Sequence, residues 1–314
     1  MRRIVILGGT GFFGRLIGEQ LSAAGQKPLL ASRSSGELRI DANIPEDLKA
    51  NLKTRDLVID AAGPFQRRSP ALIEAARTIG FDLIDLSDSP EYTAMIYKHE
   101  APIRAAGIRV LTACSALSTV SAVVLNSSGV EQPRKLLAYL KPASRHTANP
   151  ATIASMLASF DGGQRTFEFP RPLGVRNGLT VKSVDMVTLP RVFASLRFAE
   201  LAVDAGVLGN AVLASKTIRK MIGQFQKQVV RIAHSIGRTK GILAYEITHA
   251  GGHSYQIFTG DKSYMLAVIP AVQAALAIIN GKFPHRGLIA PTDHVNVGEF
   301  LDAVRKEGVI MTSG

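Results

Sequence analysis

A cluster of glycines at a strand-to-helix junction is the first place where residue type and spacing suggest chemistry. Gly8-Gly9-Thr10-Gly11-Phe12-Phe13-Gly14 satisfies G-x-G-x-x-G through Gly9, Gly11 and Gly14, and G-x-x-G-x-x-G through Gly8, Gly11 and Gly14. Gly9 allows a tight turn, Gly11 lets the backbone approach a pyrophosphate, and Gly14 permits close helix–strand packing. The helix that opens there would aim free N–H groups and its positive end at phosphates. The motif follows an apolar strand, Ile4 to Leu7, and precedes a helical pattern, Phe13 to Ala24, the context that gives it meaning.

The end of the second strand should choose the nucleotide. A site for NAD(H) carries Asp or Glu about 20 residues past the loop, to accept from the ribose 2′-OH. Here the stretch is Ala31-Ser32-Arg33-Ser34. A guanidinium holds a 2′-phosphate through paired hydrogen bonds, and the hydroxyls of Ser32 and Ser34 stand beside it. The expected cofactor is therefore NADP(H) rather than NAD(H).

Proton-handling groups are harder to find. Short-chain dehydrogenases share the glycine spacing and use Tyr-x-x-x-Lys, the lysine lowering the tyrosine pKa. None of the six tyrosines has a lysine four places on. Cys114 would need a base to become a nucleophile and reads better as a packed thiol. His249 and His253 are separated by Gly251 and Gly252, and no further ligand completes a set, so no metal is expected. The loop Arg145-His146-Thr147-Ala148-Asn149 offers a guanidinium for a substrate carboxylate and an imidazole for proton transfer, with Asn149 alongside. A solvated turn explains the same residues equally well.

These groups need a scaffold. Strand signals at Ile4–Leu7, Leu29–Ser32, Leu57–Ala62, Leu83–Leu86 and Ile108–Thr112 alternate with helical stretches at Phe13–Ala24, Pro45–Leu52, Ser69–Thr78 and Pro90–Ala106, the last capped by Ser89. That alternation predicts a doubly wound parallel α/β sheet. After Val130 the rhythm changes. Strands are expected at Lys135–Leu140, Ile242–Thr248 and Ser254–Thr259. Helices are expected at Ala151–Phe160, Ala194–Arg238, Ser263–Asn280 and Val297–Lys306, and strand-like alternation without helix spans Thr166–Pro190. The expected division is 1–128 for the nucleotide domain and 129–283 for an α+β domain serving substrate binding or homodimer formation. Residues 284–314 would return to the first domain.

VIDAAGPF (Val58 to Phe65), LIDLSD (Leu83 to Asp88) and VLTACSALSTVS (Val110 to Ser121), with the closing GDKSYMLAVIPAVQAALAIING and GLIAPTDHVNVGEFLDAVRKEGV, resemble the saccharopine dehydrogenase/reductase-like family. The resemblance covers 1–125 well, 255–310 fairly and 160–250 poorly. It implies a Rossmann domain, a mixed second domain and NADP-linked hydride transfer on a small carbonyl or imine. By carry-over, Ala61, Ala62, Gly63, Pro64 and Phe65 line the cofactor, and Asp85 and Asp88 lie near its nicotinamide end. Asp85 is then expected against substrate, and His146 or Asp88 is expected to handle the proton. The family's Gly-Phe-Asp after its cysteine is replaced by Ser115-Ala116-Leu117, so saccharopine is not the expected substrate. The non-enzyme alternative is an NADPH sensor or regulator without turnover.

Composition bounds the rest. With 314 residues, 46% hydrophobic and 20% charged, the chain can bury a core and is not disordered. A single cysteine fits a reducing, cytoplasmic setting. MRRIVILGGTGFFG is too short in its apolar part for a signal peptide and reads as a buried strand. The apolar run Ser263–Gly281 is interrupted by Pro270, Gln273 and Asn280 and reads as a buried helix, so a soluble protein is expected. Net charge is +12, and +9 of it lies in residues 162–240, which hold 13 Lys+Arg against 4 Asp+Glu. Between Val212 and Lys240, Leu213, Ile218, Ile222, Phe225, Val229, Val230, Ile232 and Ile236 alternate with Lys216, Arg219, Lys220, Lys227, Arg231 and Arg238. This is an amphipathic pattern with a cationic face. It suits a solvated helix, an anionic membrane surface or the entrance for an anionic substrate. Nucleic acid is the weakest option and is not expected, since there is no Trp, few aromatics are interleaved with the charge and no binding motif is present.

Overall fold

The computed structural model describes residues 2–206, 209–210, 213 and 215–314, with the backbone alone at Lys216. The chain forms two compact units, Met1–Val120 with Leu266–Phe300 and Ser121–Met265 with Leu301–Gly314.

The first unit is built on β1 (Ile4–Leu7), β2 (Leu29–Ser32), β3 (Leu38–Arg39), β4 (Leu57–Asp60), β5 (Asp82–Asp85), β6 (Arg109–Leu111) and, far along the chain, β13 (Gly287–Leu288). Across the sheet the order is β3-β2-β1-β4-β5-β6-β13, with every neighbouring pair parallel. The chain starts at β1, winds outward through β2 and β3, returns to β4 and winds outward the other way. This is the Rossmann arrangement, and it leaves a crevice at the carboxyl ends of β1 and β4 where the winding reverses. IVIL, LVID and DLID are buried throughout because helices cover both faces of a parallel sheet. The helix Phe12–Ala23 turns Gly14, Ile17, Gly18 and Leu21 inward, and the apolar helix Ile269–Ile279 packs on it and on β5.

The second unit is α+β. Its strands are β7 (Lys135–Lys141), β8 (Phe160–Glu168), β9 (Val175–Val181), β10 (Phe198–Val203), β11 (Gly241–His249), β12 (Gly252–Gly260) and β14 (Ile310–Ser313), in the order β14-β12-β11-β7-β10-β9-β8. Only β10 and β7 run parallel. Strand alternation puts Leu137 and Tyr139 on the face they share with Phe167, Phe169, Ala202, Ala244 and Ile257. The Phe167 and Phe169 rings stack at 5.3 Å, and Tyr139 meets Phe167 edge-on at 5.5 Å. The Tyr139 hydroxyl, which would be costly to bury unpaired, donates to Asp204 at 2.6 Å.

Several expectations need correction. Ala194–Arg238 is not one helix. Phe198–Val203 is the strand β10, fixed by pairing with β7 and β9, and the basic stretch forms two helices, Lys216–Gln224 and Gln226–Ile236, broken at Phe225. Val212, assigned to that amphipathic stretch, lies outside the described residues. Thr166–Pro190 does contain a helical turn, Asp185–Thr188. Pro90–Ala106 is interrupted at His99, where the chain leaves helical geometry and restarts as Glu100–Ala105. The closing residues 301–314 belong with the second unit, because β14 pairs with β12, whereas 266–300 belong with the first. Among the described residues no helix is long and apolar enough to cross a membrane.

Two buried groups of the first unit titrate in opposite senses. His294 is wholly enclosed, with Nδ1 2.7 Å from the Thr119 hydroxyl and Nε2 3.3 Å from the Ile289 carbonyl, and burial lowers its pKa from 6.5 to about 4. Burial raises the Asp85 carboxyl to about 6. As pH falls from 6.5 towards 4, the unfolded chain takes up a proton that folded His294 refuses, which costs about 1.4 kcal/mol per pH unit. Below pH 6 folded Asp85 takes up a proton that its unfolded form does not yet bind, and this offsets the loss. The variant His294→Gln keeps a donor and an acceptor but does not titrate. Its stability relative to wild type should rise by about 1.4 kcal/mol per pH unit from pH 6.5 down to 4, read by chemical denaturation across that range. A gap independent of pH would mean that the folded ring titrates normally.

Candidate dinucleotide site

β1 ends at Leu7 and the chain turns immediately, with Gly8 in the left-handed region at φ +71°. A Cβ on Gly8 would lie 2.7 Å from the Cα of Ala62, and one on Gly14 would collide with the Gly8 carbonyl. Two backbone segments, the glycine loop and the Ala61-Ala62 turn after β4, therefore meet with no room for a side chain between them. The first N–H groups of the helix Phe12–Ala23 open onto this junction. Its N-cap is Gly11, no side chain caps it, and its first turn holds no acid. Uncapped N–H groups with no competing carboxylate form an anion site.

The exit of β2 is tied to the same loop. The Ser35 N–H donates to the Ser32 hydroxyl at 2.9 Å, and the Ser35 hydroxyl lies 3.5 Å from that of Thr10. Arg33 and Ser34 sit exposed at the tip of this turn, and among the described residues Arg33 makes no ion pair. Gly36, at φ +103°, brings the chain back so closely that a Cβ would stand 2.6 Å from the Leu30 carbonyl. Ser35 was not singled out by sequence reasoning. The run Ser34-Ser35-Gly36 was its signal.

A buried ion pair holds the turn after β4. Asp60 is completely enclosed, and both of its oxygens accept from the Arg68 guanidinium, 5% exposed, at 2.5 Å. Asp60 also accepts the Ala62 N–H at 3.0 Å. Burial pushes the Asp60 carboxyl up while the charge of Arg68 pulls it back. Arg68 lies over the Phe65 ring, 5.7 Å from its centre, and Phe65 packs on Tyr92 at 5.5 Å. The whole segment Ala61-Ala62-Gly63-Pro64-Phe65 is thereby closed into a loop. Neither Asp60 nor Arg68 was read as part of the site.

Asp85 differs from its expected part against substrate. It is 0% exposed, and its Oδ1 accepts the N–H groups of Ser87 at 3.0 Å and Ala113 at 2.9 Å. It anchors the exits of β5 and β6. Asp88 is only partly buried and accepts from the Gln66 amide at 3.2 Å. Cys114 is fully buried and its thiol pKa is pushed up by that burial, which suits packing rather than nucleophilic attack.

The remaining candidates belong to the second unit. Asn149, expected beside substrate, caps the helix Pro150–Ser159, its Oδ1 accepting the Thr152 N–H at 2.9 Å. Arg145 is exposed and donates to the Ser235 carbonyl at 3.0 Å, while His234 lies 2.7 Å from the Arg145 carbonyl. The ring of His146 is exposed, 5.8 Å from that of Tyr264. His249 and His253 lie on opposite strands of the β11–β12 hairpin, and His253 pairs with Glu246 at 3.0 Å. Among the described residues no three His, Cys, Asp or Glu side chains gather as metal ligands.

No protein-family model matches the chain. It is similar to a trans-acting enoyl reductase of Mycobacterium leprae, 30% identical over 131 residues, covering 35% of this chain and 31% of that protein. A Mycobacterium tuberculosis protein provisionally given the same name is 29% identical over 133 residues, with the same coverage. The match thus spans about a third of these relatives' length. Among solved structures, GenD2 of gentamicin A biosynthesis in complex with NAD aligns at 13% identity and a TM-score of 0.45, covering 100% of this chain and 97% of that one. Biliverdin reductase from Synechocystis, in complex with biliverdin and NADP+, aligns at 12% identity and a TM-score of 0.41, covering 97% and 98%.

Removing one member of a buried ion pair leaves the other as an uncompensated charge. Arg68→Met should therefore cost about 3–5 kcal/mol of stability, and the double variant Asp60→Asn/Arg68→Met should recover a large part of the loss. Denaturant titration of the two variants checks this. Equal losses in both would show that the pair is not coupled.

Proposed function

We propose that this protein is an NADP(H)-dependent oxidoreductase of the saccharopine dehydrogenase-like class, moving a hydride between the cofactor and a small carbonyl, imine or conjugated enoyl group. The observation that carries the reading is the uncapped N-terminus of the helix Phe12–Ala23, set at the crevice where the winding reverses and pressed against the turn after β4. A Cβ would fill this cradle at Gly8 or Gly14, and the residues present fit a dinucleotide. The enoyl option takes its support from the name of the mycobacterial relatives, and the class from the VIDAAGPF and LIDLSD segments.

The bound nicotinamide would supply the hydride, and this chain's residues do the rest. The backbone of Gly9 to Gly14 receives the pyrophosphate. Arg33, with Ser32, Ser34 and Ser35 around it, takes the 2′-phosphate, and nothing acidic lies within the Ser32–Gly36 turn to repel it. Asp60 and Arg68 hold the Ala61–Phe65 loop in shape against the cofactor. Asp88 or His146 is the group proposed to move the proton.

Arg33→Asp should weaken NADPH binding by about 10- to 100-fold, the worth of charge-assisted hydrogen bonds, and change NADH binding far less. Fluorescence titration with both cofactors reads this, and equal losses would remove Arg33 from the nucleotide site. Turnover is tested by NADPH oxidation against a panel of ketones, imines and enoyl thioesters. Tight NADPH binding with no oxidation over that panel would favour a sensor in place of an enzyme. Wild-type kcat in the double variant Asp88→Asn/His146→Ala would take both residues out of the mechanism.

A further inference from the structure

The two basic helices of the second unit leave part of their apolar surface uncovered, while Ile222, Val229, Val230 and Ala233 are half-buried. Ile218, Met221 and Phe225 recur three and four residues apart, so they share one side of Lys216–Gln224 and its exit. Ile232 and Ile236 do the same on Gln226–Ile236. All five are exposed, Phe225 by 51%, Ile232 by 58% and Ile236 by 79%, and Gln226–Ile236 buries none of its residues fully. Large side chains of this kind usually find cover, and a cluster of them marks a surface that meets something.

Charge limits what that can be. Residues 205–245 hold seven Lys+Arg and no Asp or Glu. Lys220, Lys227 and Arg231 are exposed or half-exposed and make no ion pair among the described residues. A second copy of this chain would set the same positive charge against itself, which repels at contact distance. An anionic surface with an apolar interior meets both halves of the pattern. Apolar side chains on one helix face with cations on the other face and flanks suit a helix lying in the headgroup region of a bilayer.

We propose that the helices Lys216–Gln224 and Gln226–Ile236 form a docking surface for anionic lipid, inserting Met221, Phe225, Ile232 and Ile236 while Lys220, Lys227 and Arg231 meet phosphate headgroups. The contact is peripheral and reversible, and it does not depend on the activity proposed above.

The test is flotation of the full chain with phosphatidylcholine vesicles, with and without phosphatidylglycerol. Partitioning should be at least about tenfold stronger with the anionic lipid and should fall as salt rises. Phe225→Ser/Ile232→Ser and Lys227→Glu/Arg231→Glu should each abolish it, with circular dichroism unchanged because all four side chains lie at the surface. Lys49→Glu/Lys98→Glu, an equal charge change on the first unit, should leave it intact. Equal binding to both vesicle types, or no binding to either, overturns the proposal. So does binding to soluble polyglutamate that Phe225→Ser/Ile232→Ser leaves undiminished, since that outcome assigns the surface to an acidic macromolecule.

Discussion

The contact on which the first unit depends is one between backbones. At the carboxyl ends of β1 and β4 the glycine loop and the Ala61-Ala62 turn approach until a Cβ on Gly8 would sit 2.7 Å from Ala62. Nothing larger than hydrogen can stand there. The closeness has two effects. It brings the start of the helix Phe12–Ala23 down onto the sheet, and it sets the first helical N–H groups and the Ala61–Phe65 loop around one space. A phosphate site built in this way would use few side chains, its precision coming from how tightly the main chain closes.

Main-chain closure needs something to hold the loops still, and here buried polar groups do so. Asp60 grips Arg68 and the Ala62 N–H, and Asp85 grips the N–H groups of Ser87 and Ala113. Each aspartate closes a parallel strand and accepts from the chain just beyond it; Arg68 matches the charge of Asp60, while Asp85 is held by N–H groups and burial raises its pKa. Burying them is costly. The ordering of three consecutive strand exits offsets that cost. These residues hold the strand-end loops in place and are themselves buried.

What could be read from the sequence follows from how local each requirement is. The glycine loop was legible because its sterics are contained in seven residues, and β1 and β2 matched their expected bounds because continuous apolar runs between turn residues have few other readings. Arg68 was not, since nothing in VIDAAGPFQRR says that the second arginine folds back onto the strand-end aspartate while the first does not. Asn149 caps the helix Pro150–Ser159, a use its sequence neighbourhood alone does not show, because the same amide oxygen suits a cap or a ligand. FAELAV fits a helix or a strand by its spacing, and pairing with β7 and β9, set by residues far away in sequence, made it β10. IMTS shows no pattern of burial at all and becomes β14 only because β12 offers it an edge.

The positive charge of the chain divides along the same line between local and long-range causes. Arg33 is a single exposed cation at the tip of a turn whose geometry is set by Ser32, Ser35 and Thr10. The cations of 205–245 are spread over two helices with apolar side chains between them and no acid nearby. A spread of that kind cannot focus on one phosphate. It acts through the sum of many weak attractions, and the exposed Phe225, Ile232 and Ile236 add a contribution that no soluble anion would collect. The net charge of +12 is therefore two features with different physics. One is a single exposed cation held at the tip of a turn. The other is an extended face whose strength depends on the area and charge density of what it meets.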